Sequence, residues 1–382
     1  MKQKLNILFL SSWYPNKVTT TKGNFVQRHA EAVATKCNVI AISVIEDPNI
    51  KSEKYNIERS LERGVDTIRV YTKPGMGRAT KWIRFFNGHD KAIKLVLEKF
   101  NPDVIHGNVF FPVGIVAKKW AAKLGVPLVF TEHLTAYLPE NRENLKNKHL
   151  RSIKSTARLT QRIMPVSEDL MMAMKELNIG KAYEVVPNVV DTNLFKPQKK
   201  NNLRKKIIHV STAKDFHKNV SGILRTIALL KEKRSDFELL IISDGILEPH
   251  IDLAKELCIE DVVHFEGEQP IDSIGQKMGG SDLFVLFSNF ENLPCVIIEA
   301  LSCGLPVVST DVGGIPEMIN ESNGKLIKPK DENELLVQLN EVLDSDQFKS
   351  LEIARSAHEK YGIEAVSSQL LRIYQEVLLE ME

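Results

Sequence analysis

The densest cluster of potential chemistry lies in Ser288–Met318, which reads SNFENLPCVIIEALSCGLPVVSTDVGGIPEM. Glu291 closes a loop after an apolar run, and Glu299 follows in a helical pattern that opens after Pro294, with seven residues between the two glutamates. Such a helix start presents unpaired backbone N–H groups and the positive end of a dipole, which suits a diphosphate. Carboxylates on either side accept hydrogen bonds from sugar and ribose hydroxyls. A bare pair of glutamates at this spacing is common and equally describes a solvated loop charge and an exposed helix charge, so the context carries the weight. A second segment, STAKDFHKN over Ser211–Asn219, holds Lys214 and Lys218, which on their own read as solvated turn charges. Two histidines, His106 in PDVIH and His133 in VPLVFTEH, close strand-like runs. Asp344 and Asp346 have Asp-x-Asp spacing, but they follow a helical pattern in an acidic stretch and read as a solvated loop. No His/Cys cluster has metal-ligand spacing, and no nucleophile elbow or Walker A loop is present. The expectation is therefore a site without metal.

These residues need elements to hold them. Asn6–Leu10, Val39–Val44, Thr67–Val70, Val104–His106, Leu128–Thr131, Ile163–Val166 and Tyr183–Val186 read as strands, with helical patterns over Phe25–Ala34, Thr80–Phe100 and Val113–Leu124 between them. Continuous apolar strands alternating with helices predict a parallel sheet covered on both faces. The basic stretch FKPQKKNNLR over Phe195–Arg204 reads as a linker. After it the rhythm restarts with strands at Ile207–Ser211, Glu238–Ile242, Val262–Phe265, Leu283–Leu286 and Val307–Ser309. Helices are expected over Ser221–Lys231, His250–Leu257, Cys295–Leu301 and the last 30 residues. Two doubly wound α/β domains, 1–196 and 197–361, place ligands at the carboxyl ends of their strands, in a cleft between the two.

Composition agrees with a globular chain. The 382 residues are 43% hydrophobic and 26% charged, with a net charge of +2. That balance conceals a division: residues 1–200 hold 33 Lys+Arg against 18 Asp+Glu, and residues 201–382 hold 18 against 31. Four scattered cysteines form no disulfide framework, so a reduced, cytoplasmic protein is expected. No stretch has the length of a membrane span, and Leu5–Leu10 is too short for a signal segment. A basic, partly aromatic surface is expected from Trp82, Phe85 and Phe86 among Lys81, Arg84, Lys91 and Lys94. Arg142, Lys146, Lys148, Arg151, Lys154, Arg158 and Arg162 extend it. It fits contact with anionic lipid at the inner face of a plasma membrane and fits an ordinary amphipathic helix equally well. No recognised nucleic-acid-binding module accompanies it.

The Ser288–Met318 segment resembles the signature of family-4 retaining glycosyltransferases of the GT-B fold, of the bacterial cell-surface glycan type. Its Ser-x-x-Glu-Asn-x-Pro opening, Glu-Ala helix, Gly-Leu-Pro-Val-Val strand and Gly313-Gly314-Ile315-Pro316-Glu317 close match that pattern. The resemblance continues through FLSSWYPNKVTTTKGNFVQRHAEA, PDVIH, VPLVFTEH, VVPNVVDTNLF, ISDG and FEG, which cover nearly the whole chain. It implies a GT-B architecture, with a C-terminal helix over 362–382 completing the first domain. It also implies transfer of a sugar from a UDP- or GDP-linked donor to a glycan or lipid-linked acceptor, with no cofactor beyond that co-substrate. Glu291, His133 and Lys218 would act at the reacting sugar. Gly23, Lys214, Lys218, Asn292, Leu293, Pro294, Cys295, Val296 and Glu299 would hold the donor. Where the family carries an arginine on the loop after the first strand of the second domain, this chain has Thr212, leaving Lys214 as a substitute without the bidentate fork. A nucleotide-sugar epimerase, a glycosidic phosphorylase and a non-catalytic paralogue share these features. A nicotinamide dehydrogenase lacks its Gly-x-Gly-x-x-Gly here.

Overall fold

The computed structural model describes residues 4–51, 54–75, 77–200 and 203–381. It divides into two compact units: Met1–Val189 with Glu364–Glu382, and Val190–Ile363.

The first unit is built on seven strands: β1 (Asn6–Ser11), β2 (Asn38–Glu46), β3 (Tyr55–Glu62), β4 (Val65–Thr72), β5 (Val104–Asn108), β6 (Leu128–Glu132) and β7 (Arg162–Pro165). Their order is β3-β4-β2-β1-β5-β6-β7, parallel except for the edge pair β3–β4. That hairpin escapes a pattern reading because YNIERSLE is largely exposed and polar. Its turn is legible: Arg63 and Gly64 both adopt positive φ, the signature of a two-residue hairpin loop. The strand expected at Tyr183–Val186 is reduced to one bridge between Ile163 and Tyr183. Beyond it lies Pro187, which has no N–H for a ladder. The helix Ile363–Leu379 buries Tyr374 in the first unit, where its hydroxyl meets His106 Nδ1 at 2.7 Å.

The second unit carries β8 (Lys205–Ser211), β9 (Phe237–Ser243), β10 (Val263–Glu266), β11 (Leu283–Leu286), β12 (Val307–Thr310) and β13 (Gly324–Ile327). All are parallel, in the order β10-β9-β8-β11-β12-β13. Ile207, Leu239, Ile241 and Val285 from the strands are buried in one cluster with Ile223, Ile227, Leu335 and Leu339 from the helices Val220–Lys231 and Glu332–Asp344. Each such side chain contributes about 1.5–3 kcal/mol on removal from water.

The boundary falls at Val189/Val190, ahead of the expected 196. The reason is burial. Val190 bridges to Gly362, Phe195 is fully buried, and a Cβ on Gly275 would stand 2.5 Å from the Leu194 carbonyl oxygen. Only the later, basic part of Phe195–Arg204 is exposed, and Asn201 and Asn202 lie outside the described residues. In each sheet the strand order reverses beside the strand that comes first in the chain: β1 lies between β2 and β5, and β8 between β9 and β11. Those reversals open crevices at the carboxyl ends of the strands.

Candidate functional site

In the second unit the loops leaving β8 and β11 meet at that crevice. After β8 the chain makes one tight helical turn, Asp215–Lys218, bracketed by Ala213 and Asn219 at positive φ. Non-glycine residues in that region are uncommon and gather at functional sites. The turn is tied to the β11 loop: Asn289 donates its backbone N–H to the His217 carbonyl at 2.8 Å and its side-chain amide to Phe216 at 2.8 Å. This brings Lys218 Nζ onto Glu291 Oε1. Ser288 Oγ donates to the same oxygen at 2.8 Å, and His217 Nε2 approaches it to 3.6 Å. Lys218 and Glu291 are 8% and 6% exposed, so neither is the solvated surface charge that a lone lysine or glutamate would be. Burial by itself would raise the Glu291 carboxyl. The Lys218 ammonium and His217 beside it outweigh that and hold it down to about 2.

Glu291 leads directly to the helix Cys295–Ser302, whose N-terminus follows Pro294 without a side-chain cap. Asn292, Leu293 and Pro294 are buried, Cys295 and Val296 half-buried. Glu299 is 5% exposed, which removes its reading as a solvated helix charge. The glycine pair seals the loop from behind. Gly314 donates its N–H to the Asn292 carbonyl at 2.8 Å, and Gly313, at φ +54°, approaches so closely that a Cβ would fall 2.0 Å from the Glu291 carbonyl oxygen. Thr212 is exposed, and its carbonyl packs on Gly245 of the β9 loop. Lys214 is exposed at the start of the tight turn and makes no ion pair among the described residues, unlike Lys218. This half of the site concentrates charge beside a helix N-terminus, an arrangement whose dipole and lysines suit an anionic group.

The first unit places His133 just past β6, where its ring lies 4.4 Å from Phe25 and 5.5 Å from His29. It is 8% exposed, and burial, with His29 and His106 nearby, pushes its imidazole well below the usual range. A neutral ring results, suited to hydrogen bonding rather than to ion pairing. His106 is held at both nitrogens, by Tyr374 Oη and Thr131 Oγ1 at 2.7 Å each, which makes it a framework residue. Gly23, at φ +81°, precedes the helix Asn24–Ala34 and would place a Cβ 2.4 Å from the Trp13 carbonyl carbon. Backbone packing is thus one requirement for glycine there.

Two residues that sequence reasoning passed over complete these sites. His217 stacks on Phe290, centroids 4.2 Å apart and planes 4° apart, and so faces Glu291 in a fixed orientation. Its adjacency to Lys218 was the available signal. Glu132 is fully buried and accepts from the N–H groups of Phe110, His133 and Leu134 at 2.9, 2.8 and 2.9 Å and from Tyr137 Oη at 3.0 Å. It fixes the chain that presents His133, a role with no sequence signature. Asp344, half of the Asp-x-Asp, is bound by the Arg234 guanidinium at 2.9 Å. Among the described residues no group of three His, Cys, Asp or Glu side chains has metal-binding geometry. No helix of the described residues is long and apolar enough to cross a membrane.

Two family models match the chain: Glycosyltransferase Family 4 over residues 24–194 and Glycosyl transferases group 1 over residues 191–361. The chain is 29% identical over 305 residues to N-acetyl-alpha-D-glucosaminyl L-malate synthase of Bacillus anthracis, covering 74% of this chain and 77% of that protein. Among solved structures it resembles sucrose-phosphate synthase from Thermosynechococcus elongatus, with a TM-score of 0.77 at 18% identity over 99% of this chain and 100% of that one. It also resembles Anabaena HepE in complex with UDP-glucose, with a TM-score of 0.73 at 18% identity over 97% and 100% of the two chains. The matched segments, the paired parallel sheets and the loops gathered at their switch points place this chain in the group 1, family-4 glycosyltransferases of the GT-B fold.

Proposed function

We propose that this protein transfers a sugar from a nucleoside diphosphate sugar to an acceptor hydroxyl with retention at the anomeric carbon. The observation that carries the reading is the buried Lys218–Glu291 pair at the β8/β11 crevice, directly ahead of the uncapped N-terminus of Cys295–Ser302. In this reading the helix N–H groups and Lys218, with Lys214 at the rim, receive the charge that develops on the departing diphosphate. Glu291 and the backbone of Asn292–Val296 hold the donor sugar, and Glu299 accepts from the ribose hydroxyls. Neutral His133 contributes a hydrogen bond at the sugar. The leaving phosphate takes the proton of the incoming hydroxyl, and the new bond forms on the face from which the diphosphate departs.

The complex of the similar Anabaena protein with UDP-glucose supports a nucleotide-sugar donor, UDP- or GDP-linked. Charge neutralisation by lysines and amides needs no cation, and turnover unaffected by EDTA is the expected result. The acceptor is a lipid-linked or surface-glycan precursor, polysaccharide or lipopolysaccharide. The exposed basic residues Lys148 and Arg151 of the helix Asn147–Ala157, with half-buried Lys154 beside them, support contact with an anionic membrane at the cytoplasmic face. A second reading, a nucleotide-sugar-binding protein without turnover, is favoured only by Thr212 in place of arginine.

The test is binding and product analysis. Lys218→Ala and Glu299→Ala should abolish the thermal stabilisation given by UDP- or GDP-sugars, and NMR of the product should show the donor's anomeric configuration. Unchanged binding by both variants removes the assignment of the site, and an inverted product removes the mechanism.

A further inference from the structure

The first unit contains a cavity of about 360 Å³ at the carboxyl ends of β2 and β4, lined by neither His133 nor Glu132. That volume lies within the range of about 300–1,000 Å³ occupied by small-molecule sites. Its walls are aromatic and braced. Trp82 and Phe85, from the helix Arg78–Leu97, meet at 6.2 Å, and Trp82 also packs on Phe86 at 6.1 Å and Phe111 at 5.4 Å. Trp13, from the loop after β1, is held edge-on by Phe25 at 6.2 Å. Half-buried indoles fixed in place around a void present flat apolar faces to whatever enters, while the rim stays polar. A pyranose matches this surface, with its C–H face on an indole and its hydroxyls outward.

The charges are unequal. Lys81 is already paired with Glu46 at 2.6 Å. Lys22 is exposed, its ammonium lies 5.9 Å from the Trp13 ring centroid, and no carboxylate stands within ion-pairing distance of it among the described residues. A saccharide seated on Trp13 thus has an uncompensated cation at its edge.

We propose that this cavity binds an acidic saccharide unit of the acceptor, a pyranose carrying a carboxylate or a phosphate ester, with its ring on the Trp13 and Trp82 faces and its anion at Lys22. The proposal rests on the glycosyl-transfer reading for calling the ligand an acceptor; the binding itself is measured without a donor.

The chain has three tryptophans, and the third, Trp120, is only 2% exposed. Intrinsic fluorescence of the full-length protein therefore reports mainly on the cavity. It is titrated with methyl glucuronide, glucose 6-phosphate, methyl glucoside and inorganic phosphate. Saturable quenching by either acidic sugar is expected, about fivefold tighter than by methyl glucoside, with no quenching by phosphate. Which acidic sugar binds better distinguishes a uronate from a sugar phosphate. Lys22→Ala should reduce the acidic sugars to the level of methyl glucoside, and Trp82→Leu should weaken every sugar about tenfold. An unchanged far-UV circular dichroism spectrum and thermal transition in the same variants show that they are folded. Equal binding of neutral and acidic sugars, an unchanged Lys22→Ala profile, or the absence of quenching by both acidic sugars overturns the proposal. Phosphate competing as well as glucose 6-phosphate reduces the site to an anion site and overturns it too. Loss of UDP binding in the unmodified protein, with acidic-sugar binding retained, defeats the glycosyl-transfer reading and leaves the cavity assignment standing.

Discussion

At the end of β8 the second unit buries a charge pair, Lys218 on Glu291, with Ser288 and His217 completing the shell around one carboxylate oxygen. At the ends of β5 and β6 the first unit buries three imidazoles instead, His29, His106 and His133, each shifted down by burial, together with Glu132 satisfied by backbone N–H groups. The same kind of parallel sheet thus carries two chemistries. In the proposed reading, one crevice receives an anion whose charge increases on departure. The other offers neutral donors and acceptors that orient a polar group without adding charge. Whole-chain charge does not report this: the proposed anion site lies in the acidic second half, where local lysines and helix amides would have to outweigh the background.

Four experiments break or sharpen that contrast. Lys218→Ala strips a buried carboxylate of its cation, and removal of one partner from such a pair costs about 3–5 kcal/mol. Denaturant unfolding should show that loss, with turnover down about 10³-fold. A variant of near-normal stability and activity would mean that the pair does not organise the second unit. Next in size, Gly313→Ala inserts a Cβ 2.0 Å from the Glu291 carbonyl and must displace the loop. Since misplacement of about 1 Å costs about 10²-fold, kcat should fall by that order while the first unit's cavity still binds its saccharide. A smaller effect on the other side of the comparison is expected from His133→Phe: kcat lower by about tenfold to 10²-fold, with UDP affinity unchanged. Altered UDP affinity there would assign the histidine to the nucleotide rather than to the sugar. The mildest is Thr212→Arg, which supplies the missing fork at an exposed position and should tighten UDP about fivefold by calorimetry.

Acid should separate the buried histidines from the Lys218–Glu291 pair. His89 in the first unit and His209 in the second are pushed down to about 4 by burial, from an ordinary 6.5. The unfolded chain therefore binds more protons between pH 6.5 and 4, and stability falls as pH drops through that window. Glu291, held at about 2 against an ordinary 4.5, adds its own loss only below about pH 4.5. Lys218→Ala should shrink that second, more acidic loss by the Glu291 share, while carboxylates held down by other cations, such as Glu62 beside Arg69, keep theirs.

The sheet strands and most of the covering helices follow from local pattern, because a strand buried on both faces must be apolar throughout and a covering helix must repeat its apolar stripe. The strands missed or misread were those without that pressure: polar β3 and the short, half-buried β13, each at a sheet edge, and Tyr183–Val186, where a proline ends the pairing. Site residues divide in the same way. Glu291, Lys218, Glu299 and the glycine pair are legible because they lie in one continuous motif or match a known spacing. His217 and Glu132 are not, since their significance comes from partners: Phe290 and Glu291 lie more than seventy residues from His217, and Phe110 lies 22 residues from Glu132.

By itself, then, the sequence determined the element types, the division into two α/β units and the residues able to carry transfer chemistry. Periodicity and turn chemistry act between near neighbours, and a linear motif preserves them. The tertiary structure alone decided which groups are buried, which ions are paired and which histidines are neutral. It also decided that four aromatic side chains line a cavity beside a lysine with no carboxylate partner among the described residues. Those properties depend on desolvation and on distances set by strand order, and neither is encoded in any local stretch of chain.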